Sequence, residues 1–341
     1  MDKPKEKPEP KELVRLDETI KLLFELSKPT LVKTLNALFN EKYKPENVVI
    51  DMTSTEYPKN NLDMLRADIC IKITEYKPQH YHAEIQTEPH KEMAVRMFEY
   101  DVMEALRNYR LEKELNQTFD SDQVLQSTTM NSIKIPDEIN IFMPKSVVIQ
   151  IEDGKSVPED CYALNLTLAN GEVVRYTAPV MRYFEYDENR LIKEKLYNLL
   201  PLQIFKLRAE LDKMTKNKDE PGRQAALLKA WNITDKIAKK VVELYNKKKF
   251  TDIDVDKLLI AVSECFQHLN NRYNVNKKLN AEVDTMVRTL MDKTLLDKIE
   301  KLKNTKTEIV KKMLLKNKPI DEIMEFTELG EKEIKDIQET L

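Results

Sequence analysis

The stretch that most constrains the fold is Arg66–Tyr100, RADICIKITEYKPQHYHAEIQTEPHKEMAVRMFEY. Ile69, Ile71 and Ile73 alternate with Asp68, Cys70 and Lys72. Tyr81, Ala83 and Ile85 alternate with His80, His82, Glu84 and Gln86. A period of two is the mark of strands with one apolar face and one chemically active face. A one-residue slip in their pairing would put the isoleucines in water, so the pattern favours a hairpin turning near Lys77-Pro78. That hairpin gathers Asp68, Glu84 and Gln86 on one face, and a helix over 89–110 is expected to follow. Two carboxylates converging at a strand end make a hard-cation site suited to Mg2+ or Mn2+. Such an ion activates a bound water and neutralises a scissile phosphate. These residues therefore point to a metal-dependent phosphodiesterase centre.

The rest of the chain divides by period. Residues 1–12 are Pro, Lys and Glu with little to bury and are expected to be a disordered tail. Residues 13–185 read as one α/β domain with a mixed sheet. Leu16, Ile20, Leu23, Leu31, Leu35 and Leu38 recur at helical spacing, broken into two helices at Ser27-Lys28-Pro29. Val48–Met52 and Ser146–Ile151 read as strands, Glu56–Leu65 as a polar connection, and residues 112–145 as an excursion without clear period. Tyr162–Leu168 and Glu172–Thr177 pair over the turn Ala169-Asn170-Gly171. Thr87 is placed to cap the helix after Gln86, with Pro89 in its first turn. From 186 to 341 the pattern is a succession of Lys- and Glu-rich amphipathic helices, with Lys216–Gly222 as a linker.

Of 341 residues, 41% are hydrophobic, enough for a sizeable core. The formal charge of −3 gives no bulk attraction to nucleic acid, so any DNA contact must come from a local patch. Three scattered cysteines, Cys70, Cys161 and Cys265, favour a reducing cytoplasm, and no apolar run approaches a membrane span.

Asp68 followed by Glu84-Ile85-Gln86 resembles the D…(D/E)-x-K centre of the PD-(D/E)XK nucleases, with Gln in the lysine position. Leu16-Asp17-Glu18-Thr19-Ile20-Lys21-Leu22-Leu23-Phe24 is similar to the D-x-x-F-K-x-L-F opening of the recombination-promoting nuclease (Rpn) and transposase-like group. Glu84-Ile85-Gln86-Thr87 with Met93, Arg96, Met97 and Tyr100 is similar to that group's E-x-Q-[S/T]…M-x-x-R-M…Y segment, and Leu199-Leu200-Pro201-Leu202 also fits. The resemblance implies a PD-(D/E)XK core followed by an all-α region, and a DNA endonuclease using Mg2+ or Mn2+. It implies metal ligation by Asp68, Glu84 and the Ile85 carbonyl, with Asp17 as a third carboxylate. Gln86 would then orient the attacking water, and Arg96, Tyr100 and His82 would meet the substrate; Arg96 reads equally as part of a structural ion pair, and His82 as a partner behind Glu84. Asp17 has a plainer reading too, as an acidic residue in a helix's first turn.

The same residues admit other classes. His80, His82 and Glu84 could hold zinc only with a third donor from Cys70 or His90, and neither has motif support. Four glycines, none in a phosphate-binding motif, exclude a Walker or dinucleotide loop. The competing function is a catalytically lapsed nuclease-like fold serving as a DNA-binding or protein-interaction module. The segment from Leu314 to Leu341 has helix-turn-helix spacing, but its second helix, GEKEIKDIQETL, is too acidic for a major groove. It is expected to be a packing element or a homo-oligomer contact. Lys236, Lys239, Lys240 and Lys247–Lys249 are expected to form a solvated face.

Overall fold

The computed structural model describes residues 18–53, 55–58, 64–66, 68–124, 139–154, 156–273 and 277–339. The expected tail and Asp17 lie outside the described residues. Two compact units divide between Val283 and Asp284.

Residues 18–22 are helical, and α1 (Lys28–Phe39) follows with Pro29 in its first turn, where a missing N–H costs nothing. The main sheet is built from β1 (Val49–Met52), β4 (Ile69–Thr74), β5 (Pro78–Gln86), β6 (Lys145–Gln150), β7 (Cys161–Thr167) and β8 (Val173–Arg182). A separate two-stranded ribbon, β2 (Glu56–Pro58) with β3 (Met64–Arg66), occupies part of what the sequence suggests is a polar connection. The sheet order is β1-β4-β5-β6-β8-β7. The β1–β4, β4–β5 and β7–β8 pairs are antiparallel; β5–β6 and β6–β8 are parallel, so the sheet is mixed as expected. The β4–β5 register sets Ile69 opposite Ala83 and Ile71 opposite Tyr81, which keeps the isoleucines on one face.

Both faces of the central strands are buried, which is why Tyr81 through Ile85 and Val147 through Gln150 all lie inside. On one face Tyr81 meets Phe39 of α1, ring centroids 4.8 Å apart. On the other, Met93, Met97 and Tyr100 of α2 (Met93–Val124) pack with Cys70, Val148, Tyr162 and Ala178. This helix corrects two expectations. It starts at Met93, not at a Thr87 cap, and it runs on to Val124 through part of the segment that lacked a clear period. Residues 87–92 instead form bends and a turn. Pro89 there lies so near Gly154 that a Cβ on the glycine would sit 2.6 Å from the proline ring.

After β8 no strand occurs among the described residues. The helices are α3 (Glu188–Lys193), α4 (Arg208–Lys216), α5 (Glu220–Asn246), α6 (Asp252–Tyr273) and α7 (Lys277–Leu315). Between α3 and α4 runs a 3-10 segment, Tyr197–Leu207, buried from Tyr197 through Phe205 and interrupted by Pro201. The expected linker shrinks to 217–219, where Asp219 caps the Gly222 amide at 2.9 Å. Of the lysine stripe, Lys236 pairs with Glu188, Lys239 with Asp235, and Lys247 with Glu243, as a solvated face would.

Two long-range knots bind α1 to the later helices. Asn198 donates to the Leu23 carbonyl at 3.1 Å and accepts from Thr34 at 2.9 Å. Asp254, in the first turn of α6, accepts from the Ser27 amide and hydroxyl at 2.6 and 2.7 Å and from the Thr30 hydroxyl at 2.8 Å. In the second unit, the end of α7 packs with α8 (Ile320–Thr327) and α9 (Glu331–Gln338) around Val310, Ile323 and Ile334. Those apolar side chains are used within that unit. Cys70, Cys161 and Cys265 are free thiols. Among the described residues no helix is long and apolar enough to cross a membrane.

Candidate functional site

Running the β4–β5 register one step past Ile69↔Ala83 sets Asp68 across from Glu84. The two are joined through backbone: the Asp68 amide donates to Glu84 Oε2 at 3.2 Å, and the Ile85 amide donates to Asp68 Oδ2 at 2.7 Å. Because N–H and C=O of one strand residue point the same way, the Ile85 carbonyl also faces the Asp68 side. Asp68, just before β4 begins, thus shares one end of the β4–β5 pair with Glu84 and the Ile85 carbonyl.

Glu84 is 1% exposed, so its carboxylate depends on the groups around it. Oε1 accepts from Gln86 Nε2 at 3.0 Å and from Arg96 Nη2 at 2.8 Å. Arg96 sits one turn into α2, is 32% exposed at its side chain, and donates also to Tyr100 Oη at 3.1 Å. Tyr100 itself is buried, which pushes its phenol above the usual range, and Glu84 adds to the rise. The sequence-derived set Asp68, Glu84, Ile85, Gln86, Arg96 and Tyr100 is therefore one contiguous cluster. His82 is 1% exposed and lies beneath Glu84, with Nε2 3.6 Å from Glu84 Oε2. That is the place of a partner to Glu84, without access for a substrate.

Sequence reasoning missed what stands behind His82. Its Nδ1 is 2.8 Å from Asp101 Oδ1, and Asp101 Oδ2 accepts from Ser146 Oγ and Tyr176 Oη, each at 2.6 Å. Burial alone would strip the proton from His82, but Asp101 and Glu84 outweigh it and push its pKa up to about 9. A signal was present: Met93, Met97, Tyr100, Asp101 and Glu104 form one helical stripe. Its two carboxylates meet alternate residues of β5, Asp101 at His82 and Glu104 at His80, the latter 3.4 Å away.

The zinc alternative finds no support in the geometry. His80 and His82 face different carboxylates, exposed His90 uses Nδ1 to accept the Glu92 amide, and Cys70 lies in the apolar cluster under α2. Among the described residues no three or more His, Cys, Asp or Glu side chains form a metal-holding group. The groups at this strand end, two carboxylates and a backbone carbonyl, are hard oxygen donors of the class that Mg2+ and Mn2+ take, and both Glu84 oxygens and Asp68 Oδ2 already accept hydrogen bonds. No family model, curated protein or solved structure matches this chain.

Proposed function

We propose that this chain is a divalent-metal-dependent DNA endonuclease of PD-(D/E)XK type, related to the Rpn group. The observation that carries the proposal is the pairing of Asp68 with Glu84 across the β4–β5 end, tied through the Ile85 amide. DNA as substrate rests on the ordered motifs that resemble that group. Asp68, Glu84 and the Ile85 carbonyl would hold the ion. Once bound, it would supply an acidified water and neutralise charge on the scissile phosphate. Gln86 uses its amide nitrogen on Glu84 and has its carbonyl oxygen to orient a water, a role in which it lacks a lysine's charge. Arg96 has a half-buried guanidinium whose planar fork suits phosphate oxygens as well as the Glu84 carboxylate. The attacking water would give up a proton to solvent as it adds to phosphorus, one P–O ester bond would break, and the leaving oxygen would take a proton from solvent, with no covalent enzyme intermediate.

One observation favours the second reading, a lapsed module: Arg96 already neutralises a Glu84 that is almost wholly enclosed. The deciding assay is cleavage of single- and double-stranded DNA in Mg2+ or Mn2+ against a chelator control. Asp68→Ala and Glu84→Ala should abolish cutting, and Gln86→Ala should slow it by about 10²-fold. Cutting that persists in chelator, or in both alanine variants, places the activity elsewhere. A wild-type chain inert with every metal leaves the module reading.

A further inference from the structure

Asp101 lies on α2, away from the converging oxygens, yet it is 1% exposed and takes a hydrogen-bond donor from each of three strands: His82 of β5, Ser146 of β6 and Tyr176 of β8. A network of this kind is costly to bury. A core of apolar residues of similar volume would be as stable or more so, and stability alone therefore gives a poor account of it. Its geometric effect is to fix one ring. His82 is held at Nδ1 by Asp101 and edge-on against Tyr100, centroids 5.5 Å apart at 84°. Held so, it aims Nε2 at Glu84 Oε2 across 3.6 Å. That nitrogen is buried and has no hydrogen-bond partner. Gln86 and Arg96 grip the other oxygen, Oε1, from the opposite side. At Oε2 the Glu84 carboxylate accepts the Asp68 amide at 3.2 Å and has the His82 ring, braced by Asp101, as its one side-chain contact of opposite charge.

We infer that Asp101 is a positioning residue which, acting through His82, sets the orientation of the Glu84 carboxylate for the divalent ion. The inference rests on the nuclease reading only for the identity of the ion; the brace itself is in the fold. Residues behind a ligand typically change metal affinity by about 10–100-fold when lost.

The test is calorimetric titration of Mn2+ into the full chain without DNA, with cleavage kinetics measured separately. Asp101→Asn and His82→Gln should each weaken Mn2+ binding by about 10–100-fold. The double variant should be no weaker than the worse single one, because the two residues act in series. In cleavage, kcat should fall and the KM for DNA should stay. If Asp101→Asn does not fold, Tyr176→Phe, which keeps the carboxylate and removes one of its holders, should still weaken Mn2+ several-fold. Wild type that binds Mn2+ and cuts DNA, with variants of unchanged affinity, overturns the brace and leaves the nuclease reading standing. Mn2+ binding without cleavage, together with weakened variants, overturns the nuclease reading and supports the brace. A wild type that binds no Mn2+ overturns both.

Discussion

Asp254 holds two helix starts at once, and removing its side chain should cost the first unit several kcal/mol. Thr251 and Asp254 form a capping pair for α6: the Thr251 amide and hydroxyl both donate to the carboxylate at 2.9 Å. The same carboxylate takes the Ser27 amide, the Ser27 hydroxyl and the Thr30 hydroxyl, while Asp254 itself is 0% exposed. Hydrogen bonds to a charged group contribute about 1.5–3 kcal/mol each, but those from exposed Thr251 count for less, and bonds sharing one acceptor do not add. Asp254→Ala is therefore expected to cost about 3–5 kcal/mol, in the range for stripping one partner from a buried charged network. Urea unfolding should show the midpoint falling by about 1–2 M, for a slope near 3 kcal/mol/M. Burial works against ionisation of Asp254, yet the donors from Ser27 and Thr251 outweigh it and hold its carboxyl below the usual range. A lowered folded pKa means that the stabilisation is complete above the unfolded value, about 3.9, and fades as pH falls through the folded value. The gap between wild type and Asp254→Ala should therefore narrow on acidification. Hydrogen exchange at the Ser27 and Thr251 amides reports the same loss locally. A variant within about 1 kcal/mol of wild type near neutral pH, with both amides still protected, would falsify this account.

Two further expectations concern ordinary stability. Burial pushes Glu152 up to about 7, partly opposed by Arg208 at 3.5 Å and reinforced by Glu88. The folded state thus favours the protonated form, and its contribution is full below about pH 4.3 and lost as pH rises toward 7. Glu152→Gln should match wild type at pH 4 and exceed it by roughly 1–3 kcal/mol at pH 8; parallel pH profiles from denaturant melts would refute this. Gly171 turns the β7–β8 hairpin at φ +85°, with nothing within 4 Å of an added Cβ, so Gly171→Ala carries only the backbone cost of about 1–2 kcal/mol. A melting temperature equal to wild type would show that the turn relaxes freely.

What was legible in the sequence was whatever one period or one turn could fix. Ile69, Ile71 and Ile73 against Tyr81, Ala83 and Ile85 specified the hairpin register, and with it the meeting of Asp68 and Glu84. Asn170-Gly171 specified the β7–β8 turn, where Asn170 Oδ1 accepts the Glu172 amide at 3.0 Å. The start of α2 was not legible, because Thr87 and Pro89 make a good local cap and were overruled by distant contacts. Glu88 pairs with Arg208, 120 residues later, and Pro89 packs on Gly154. The β2–β3 ribbon escaped because strands of three residues are too short to show a period. Asp101 escaped for another reason. A carboxylate on an amphipathic helix is by default solvated, and only the sheet register reveals that it faces His82.

The knots that hold α1 also set a clock. Ser27 finds Asp254 across 227 residues, and Leu23 finds Asn198 across 175. At a synthesis rate of about 5–20 residues per second, the first helices wait roughly 10–45 s for their partners to leave the ribosome. A β-hairpin such as β4–β5 forms in about 1–10 μs. Asp68 and Glu84 therefore come together on the growing chain long before the amide of Ser27 is covered. Through that interval α1 has an uncapped, apolar-faced helix end open to chaperones, and the emergence of Asn198 and Asp254 decides when it closes.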